Sequence, residues 1–107
     1  GFYLAEFNTA VRNDCSIVAL IGNDYRWNAE VQIQIDSFGS DRVYGCELDA
    51  TANYADAVAG LGVHATTIRA DDDLDAALAT AIKQDGPACL NILIDSYAAP
   101  KFVPLKI

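Results

Sequence analysis

Short apolar runs alternate along the chain with segments whose apolar residues recur at helical spacing. The runs at residues 17–21 and 88–94 are long enough for strands and too short for buried helices, and we expect the first to be buried on both faces of a sheet. Residues 63–69 have the pattern of a third strand. This alternation predicts an α/β fold of three layers, with a mostly parallel sheet and helices on both faces.

Three segments have the amphipathic pattern of helices. The first covers residues 4–12, and the second covers residues 54–61 and ends at Gly62, a residue suited to a helix C-cap. The third covers residues 74–82 and follows three aspartates at 71–73, whose side chains can accept hydrogen bonds from the free amides of a helix start.

The middle of the chain is ambiguous. Residues 27–34 fit a helix, but the alternation at 31–35 fits a strand equally well, so periodicity does not decide between them. Residues 36–49 contain clusters of Ser, Gly and Asp and indicate an irregular connection, with a short extended piece expected at 42–44.

Composition narrows the classes of function. The net charge of −8, with only seven Lys and Arg residues and no basic stripe, argues against binding to nucleic acid. The apolar runs are too short to span a membrane and no signal segment opens the chain, so we expect a cytoplasmic location. Cys15, Cys46 and Cys89 are far apart in the sequence. Buried reduced thiols are therefore expected, rather than a disulfide or zinc framework.

Gly22, Asn23 and Asp24 directly follow the first apolar run. Their composition is ordinary for a turn, and on the local pattern alone a turn is the simpler interpretation. In open α/β sheets, however, ligands bind just past the carboxyl ends of parallel strands, where oxygen-bearing side chains can take part in chemistry. His64 and Trp27 are expected to have structural roles.

Four motifs give the chain a family resemblance. They are Phe-Asn-Thr-Ala-Val-Arg at 7–12, Ile-Val-Ala-Leu-Ile-Gly-Asn-Asp at 17–24, Trp-Asn-Ala-Glu at 27–30 and Tyr-Ala-Asp-Ala-Val-Ala-Gly-Leu-Gly at 54–62. The chain resembles the C-terminal, diphosphate-binding domain of thiamine-diphosphate-dependent enzymes of the acetolactate synthase, benzoylformate decarboxylase and pyruvate decarboxylase type. The resemblance covers about residues 1–97 and leaves 98–107 as a C-terminal tail.

The resemblance implies a site for thiamine diphosphate and Mg²⁺. In the family, magnesium joins the diphosphate to an Asp, to the second Asn of a pair and to a backbone carbonyl two residues later. Here the side-chain ligand falls on Asp24 and the carbonyl ligand on Arg26, while Gly22, Asn23, Asp24 and Tyr25 bind the cofactor. The family most often has Asn where this chain has Asp24, and a carboxylate is an equally competent hard-oxygen ligand.

The resemblance also implies partners. The family's Gly-Asp-Gly motif, which supplies the first magnesium ligand, is expected before Gly1, so this chain lacks it. The remaining domains, including the one that binds the aminopyrimidine, are expected on a missing segment or on another chain. Family sites of this kind lie between subunits, so a homodimer or tetramer is expected. We expect the tail to cover the active-site entrance, as in some relatives; the alternative is a tail that packs on a neighbour or is disordered.

Glu30 is the candidate catalytic residue. In the decarboxylase branch of the family a glutamate at this offset lies near the thiazolium and assists proton transfer, and Ala29 and Ile33 fall at positions that shape the substrate pocket. A carboxyl group that carries a proton near neutrality needs an apolar pocket around it. The alternative is a surface glutamate on a helix.

The activity implied is decarboxylation or carboligation of a 2-oxo acid or related carbonyl compound. The cofactor would perform the carbanion chemistry, and the protein would anchor its diphosphate. A different class remains open, since fold alone does not imply function. In that alternative the chain is a non-catalytic binding or regulatory module that keeps the fold without the partner domain.

Overall fold

The computed structural model describes residues 3–96 and contains the following elements in chain order. They are α1 (Glu6–Arg12), β1 (Val18–Asn23), α2 (Asn28–Phe38), a 3-10 helix (Ser40–Arg42), α3 (Tyr54–Ala59), β2 (His64–Ile68), α4 (Leu74–Ile82) and β3 (Ala88–Leu93). The expectations for the tail at 98–107 lie outside the described residues. None of the helices in the described part is long and apolar enough to cross a membrane.

The described residues form two compact units, which we treat separately. The first contains residues 3–23 and 50–94, and the second contains residues 24–49 together with 95 and 96. The first unit holds the sheet, whose three strands are all parallel and lie in the order β1-β3-β2. In this register Ala88 of β3 pairs with Val18 on one side and with His64 on the other. The predicted parallel α/β sheet is confirmed.

Helices cover both faces of the central strand β3. On one face, Leu90 packs in a buried cluster with Ala81 of α4, and on the other Cys89 packs with Val58 of α3. Phe7 and Val11 of α1 pack against the second cluster. The three layers predicted from the sequence are therefore present around β3, because successive strand residues point to opposite faces.

The expectation that the first apolar run is buried on both faces is wrong for β1. Leu20 remains 56% exposed and Val18 37% exposed, whereas the alternate residues Ala19 and Ile21 are partly buried. Leu20 pairs with Leu90, so it lies on the α4 face of the sheet. The α4 helix packs over β3 and β2 on that face and leaves β1 uncovered in the described part of the chain. The length of an apolar run predicts a strand but does not specify which faces are covered.

Side-chain caps fix the starts of two helices. The Asp73 carboxylate accepts a hydrogen bond from the Ala76 N–H at 2.9 Å, as the acidic run predicted for α4. Asn53 caps α3 by accepting from the Ala55 N–H at 3.0 Å. The predicted end of α3 is wrong, since the helix ends at Ala59. Gly62 lies in the following turn with φ of 91°, a left-handed conformation that favours glycine.

The second unit resolves the ambiguous middle segment in favour of a helix, α2, with Val31 buried. The Gln34 side chain forms two hydrogen bonds with the Tyr44 backbone, accepting from its N–H at 2.7 Å and donating to its carbonyl at 3.2 Å. The expected extended piece at 42–44 is confirmed at Val43, whose backbone is extended, and is wrong at Arg42, which ends the 3-10 helix. Strand-like pairing in this connection occurs instead at Glu47.

All three cysteines are free thiols. Cys46 and Cys89 are buried as expected, but Cys15 is exposed, so the expectation of burial is wrong there. Burial raises the pKa of the Cys89 thiol, because removal from water disfavours the thiolate.

We expect Cys89 to resist alkylation in the native protein, because the thiolate is the reactive form and burial both disfavours it and blocks access. The exposed Cys15 should react readily. Peptide mass mapping after iodoacetamide treatment at mildly alkaline pH measures the alkylation rates of Cys15 and Cys89. Treatment in denaturant is the control, in which all three thiols should react. Equal rates for Cys15 and Cys89 in the native protein would contradict the described core.

Candidate functional site

The carboxyl end of β1 carries the first two predicted site residues, both in the first unit. Asn23 is 5% exposed, and its carbonyl accepts a hydrogen bond from the Ile94 N–H at 3.0 Å. A Cβ added at Gly22 would lie 3.3 Å from Cδ1 of Ile94, so a side chain there would press on a neighbouring strand end. A buried amide at this end of a parallel sheet fits the usual place of ligand sites in such folds.

Asp24, Tyr25 and Arg26 form a tight loop in the second unit. The Arg26 N–H donates to Oδ1 of Asp24 at 3.0 Å, which closes a turn through the aspartate side chain. Tyr25 has φ of 54°, in the left-handed region that bulky side chains rarely adopt. Such a conformation costs about 1–3 kcal/mol and persists where neighbouring contacts hold it, often at functional sites.

The segment at 46–48 provides contacts that hold this loop. The Leu48 N–H donates to the Tyr25 carbonyl at 2.8 Å, and the Trp27 N–H donates to the Cys46 carbonyl at 2.9 Å. Between these two bonds, Arg26 and Glu47 face each other as an isolated antiparallel bridge. They therefore form a non-hydrogen-bonded pair, in which the N–H and C=O of each residue point away from the opposite strand.

This pairing determines where the Arg26 backbone points. Its N–H is directed away from the 46–48 segment and reaches the Asp24 carboxylate. The N–H and C=O of one residue in an extended pair point to the same edge, so the Arg26 carbonyl lies on the Asp24 side of the loop. The turn thus presents two hard oxygen donors, a carboxylate and a carbonyl, along one edge.

The Arg26 side chain forms a two-point ion pair with Glu47. Nε of Arg26 donates to Oε2 of Glu47 at 2.9 Å, and Nη2 of Arg26 contacts Oε1. The hydrogen bond and the charge of Glu47 raise the pKa of Arg26, and the nearby Asp24 carboxylate adds to this increase. Glu47 was not among the residues singled out by sequence. It lies 21 residues from Arg26, and no spacing pattern connects the two.

Glu30, Ala29 and Ile33 all lie on α2, with Glu30 in its first turn. All three side chains are exposed, Ile33 to 62%. The structure thus brings the predicted catalytic and pocket residues together on one helix. No apolar pocket encloses Glu30 within residues 3–96, and the interpretation as a surface glutamate stays open.

Residues 3–96 contain no cluster of three or more His, Cys, Asp or Glu side chains that could hold a metal ion. A cavity of about 380 Å³ lies in the first unit beside β2 and α4, and its lining includes His64 and Gln84. None of the predicted site residues lines it. A metal at Asp24 would accordingly need most of its ligands from elsewhere.

Comparison with known proteins agrees with the parallel α/β fold and identifies a cofactor-binding domain. The sequence matches the family described as "Thiamine pyrophosphate enzyme, C-terminal TPP binding domain" over residues 1–92. The chain belongs to this family.

Curated relatives show the same affiliation. The chain is 32% identical over 102 residues to a "Probable acetolactate synthase" of Mycobacterium bovis, covering 94% of this chain and 18% of the relative. It is 36% identical over 99 residues to "2-hydroxyacyl-CoA lyase 2" of Bos taurus, covering 88% of this chain and 15% of the relative. The human protein of that name is 35% identical over 99 residues, with the same two coverages. The chain therefore spans less than a fifth of the length of these relatives.

Proposed function

We propose that this chain is the diphosphate-binding part of an enzyme that uses thiamine diphosphate and Mg²⁺ to decarboxylate or carboligate 2-oxo acids. Residues 1–97 form the cofactor-binding domain in this proposal, and residues 98–107 are a tail. The observation that carries it is the Asp24–Arg26 turn, in which the Arg26 N–H bonds the Asp24 carboxylate and the Arg26 backbone faces away from Glu47. The family membership and the acetolactate synthase and lyase relatives support it.

The donor set at this loop fits a magnesium ion. Mg²⁺ prefers hard oxygen ligands and is usually held by one or two carboxylates together with substrate phosphates and waters. Asp24 would supply the carboxylate and Arg26 the carbonyl. The absence of a three-ligand cluster in the described residues is compatible with this mode of binding, in which the diphosphate contributes oxygens.

Other residues of the chain have roles in binding and proton transfer. Gly22 and Asn23 would bind the cofactor at the end of β1, and Tyr25 provides the left-handed turn between the two proposed metal ligands. Glu30 would hold or transfer a proton at its carboxyl group, with Ala29 and Ile33 beside the substrate. When bound, thiamine diphosphate supplies the carbanion chemistry.

The proposal requires other parts of the protein. The relatives are more than five times longer than the aligned segment, which supports further domains on the same polypeptide or on another chain. These would bind the rest of the cofactor and enclose Glu30. We propose a homodimer or tetramer as the active form.

A non-catalytic binding or regulatory module is the second candidate. Glu30 and Ile33 are exposed in this part of the chain under both candidates, so their exposure does not separate the two. The two candidates differ in cofactor retention and turnover by the full-length protein.

We expect the purified full-length protein to retain thiamine diphosphate through desalting in the presence of Mg²⁺ and to release it when a chelator is added. The reason is that Asp24 would hold the metal ion on which cofactor binding depends. Denaturing mass spectrometry of the desalted protein measures every polypeptide and the released cofactor together. Apoprotein that takes up no cofactor when Mg²⁺ and thiamine diphosphate are supplied would contradict the enzyme proposal.

A further inference from the structure

Arg26 contributes two separate groups to the candidate metal loop. Its backbone faces Asp24, through the N–H bond to Oδ1. Its guanidinium is bound to Glu47. Arg26 thus has a positively charged side chain, and its backbone carbonyl is a proposed ligand of the metal cation.

The guanidinium is bound by one carboxylate, Glu47, and a second, Asp24, lies 3.0 Å from the backbone nitrogen of the same arginine. Glu47 holds it in a two-point contact, and the charge of Asp24 also acts on it. Arg–carboxylate contacts through two nitrogens are geometrically specific and stronger than single contacts. If Glu47 were absent, Asp24 would be the nearby carboxylate with which Arg26 could form such a contact, and Arg26 would then compete with a metal ion for the same oxygens.

We propose that Glu47 is a positioning residue that sequesters the Arg26 guanidinium and thereby leaves the Asp24 carboxylate open to a divalent cation. This inference rests on the proposed function of the loop. The backbone bonds that flank the pair, from Leu48 to Tyr25 and from Trp27 to Cys46, place Glu47 directly opposite Arg26. Glu47 acts on the metal through Arg26 and is not itself a ligand.

The proposal predicts that Glu47→Gln weakens binding of Mg²⁺ and thiamine diphosphate by about threefold to fivefold, the range that partly exposed ion pairs support. In the double variant Arg26→Gln/Glu47→Gln the competing cation is removed, and affinity should return to within about twofold of the wild type. The Arg26 carbonyl is retained in both variants. Calorimetric titration of the full-length apoprotein with the metal and cofactor measures affinity without reference to activity.

Two controls separate positioning from general damage to the fold. Asp36→Asn removes one exposed negative charge from α2 in the same unit, and it should leave the affinity unchanged. The deficit of Glu47→Gln relative to wild type should also shrink as ionic strength rises, because salt screens exposed charges over about 10 Å at 0.1 M. A deficit caused by a disrupted loop would persist in salt and in the double variant.

The outcomes distinguish this inference from the proposed function. If wild-type protein binds the cofactor with Mg²⁺ and Glu47→Gln binds equally well, the positioning role is wrong and the metal loop stands. A double variant as weak as Glu47→Gln also overturns the role, since Glu47 would then not act through Arg26. If wild-type protein shows no metal-dependent binding, both the function and the inference fall.

Discussion

Asp24→Ala should abolish Mg²⁺-dependent retention of thiamine diphosphate by the full-length protein. The substitution removes the carboxylate that we assign to the metal and the acceptor of the Arg26 N–H bond that closes the loop. Loss of residues that only support metal ligands commonly costs 10–100-fold in affinity, so loss of a ligand should cost at least about 100-fold. Titration of the apoprotein with cofactor at fixed Mg²⁺ measures the change.

Asp24→Asn is the matched variant for this prediction. An amide oxygen also ligates hard cations and can accept the Arg26 N–H bond, so this variant should keep more affinity than alanine. Asp36→Ala in α2 controls for loss of one exposed negative charge. Retention by Asp24→Ala at wild-type affinity would refute the metal assignment.

Glu30→Gln should slow turnover by about 100-fold and change cofactor affinity by less than about twofold. General acid–base catalysis usually contributes at least about 100-fold, and this lower limit sets the estimate. Glutamine preserves the shape of the side chain but cannot transfer a proton. Steady-state kinetics under saturating cofactor give kcat, and the titration above gives affinity. A fall in kcat without a fall in affinity identifies an interaction made in the transition state.

Gln32→Glu offers a control on the same helix, because it introduces a carboxylate two residues away without touching Glu30. Neighbours two positions apart on a helix do not face each other, so kcat should remain close to wild type. If Glu30→Gln also turns over at the wild-type rate, Glu30 is the surface glutamate of the alternative interpretation.

The fold could be predicted because the signals for its elements are local. The lengths of two apolar runs and the pattern at 63–69 predicted the three strands, and the acidic run before α4 predicted its cap at Asp73. The errors involve information that is not local. The exposure of Leu20 depends on how far α4 reaches across the sheet. The α2 segment has patterns for both helix and strand, and the hydrogen bond of Gln34 with Tyr44, ten residues away, is not visible in either pattern.

The candidate site likewise has local features that could be predicted from the sequence and non-local features that could not. Asp24 and Arg26 are two residues apart, so the sequence and the family resemblance could assign them, and the family membership is confirmed. Their roles as metal ligands stay predictions. Glu47 could not be found, since a pairing across 21 residues depends on the path of the whole connection. The enclosure expected for Glu30 was also beyond prediction, because it would depend on parts of the protein outside these residues.

The hydrogen bonds of Gln34 have a consequence for how this region can vary in length among relatives. Gln34 fixes the backbone at Tyr44, and Leu48 is fixed by Tyr25, so the chain is anchored at both points. Between α2 and the first anchor lies the exposed turn around Ser40. We therefore expect insertions and deletions to be tolerated near Ser40, whereas inserting or deleting one residue between Tyr44 and Leu48 would shift Glu47 out of register with Arg26.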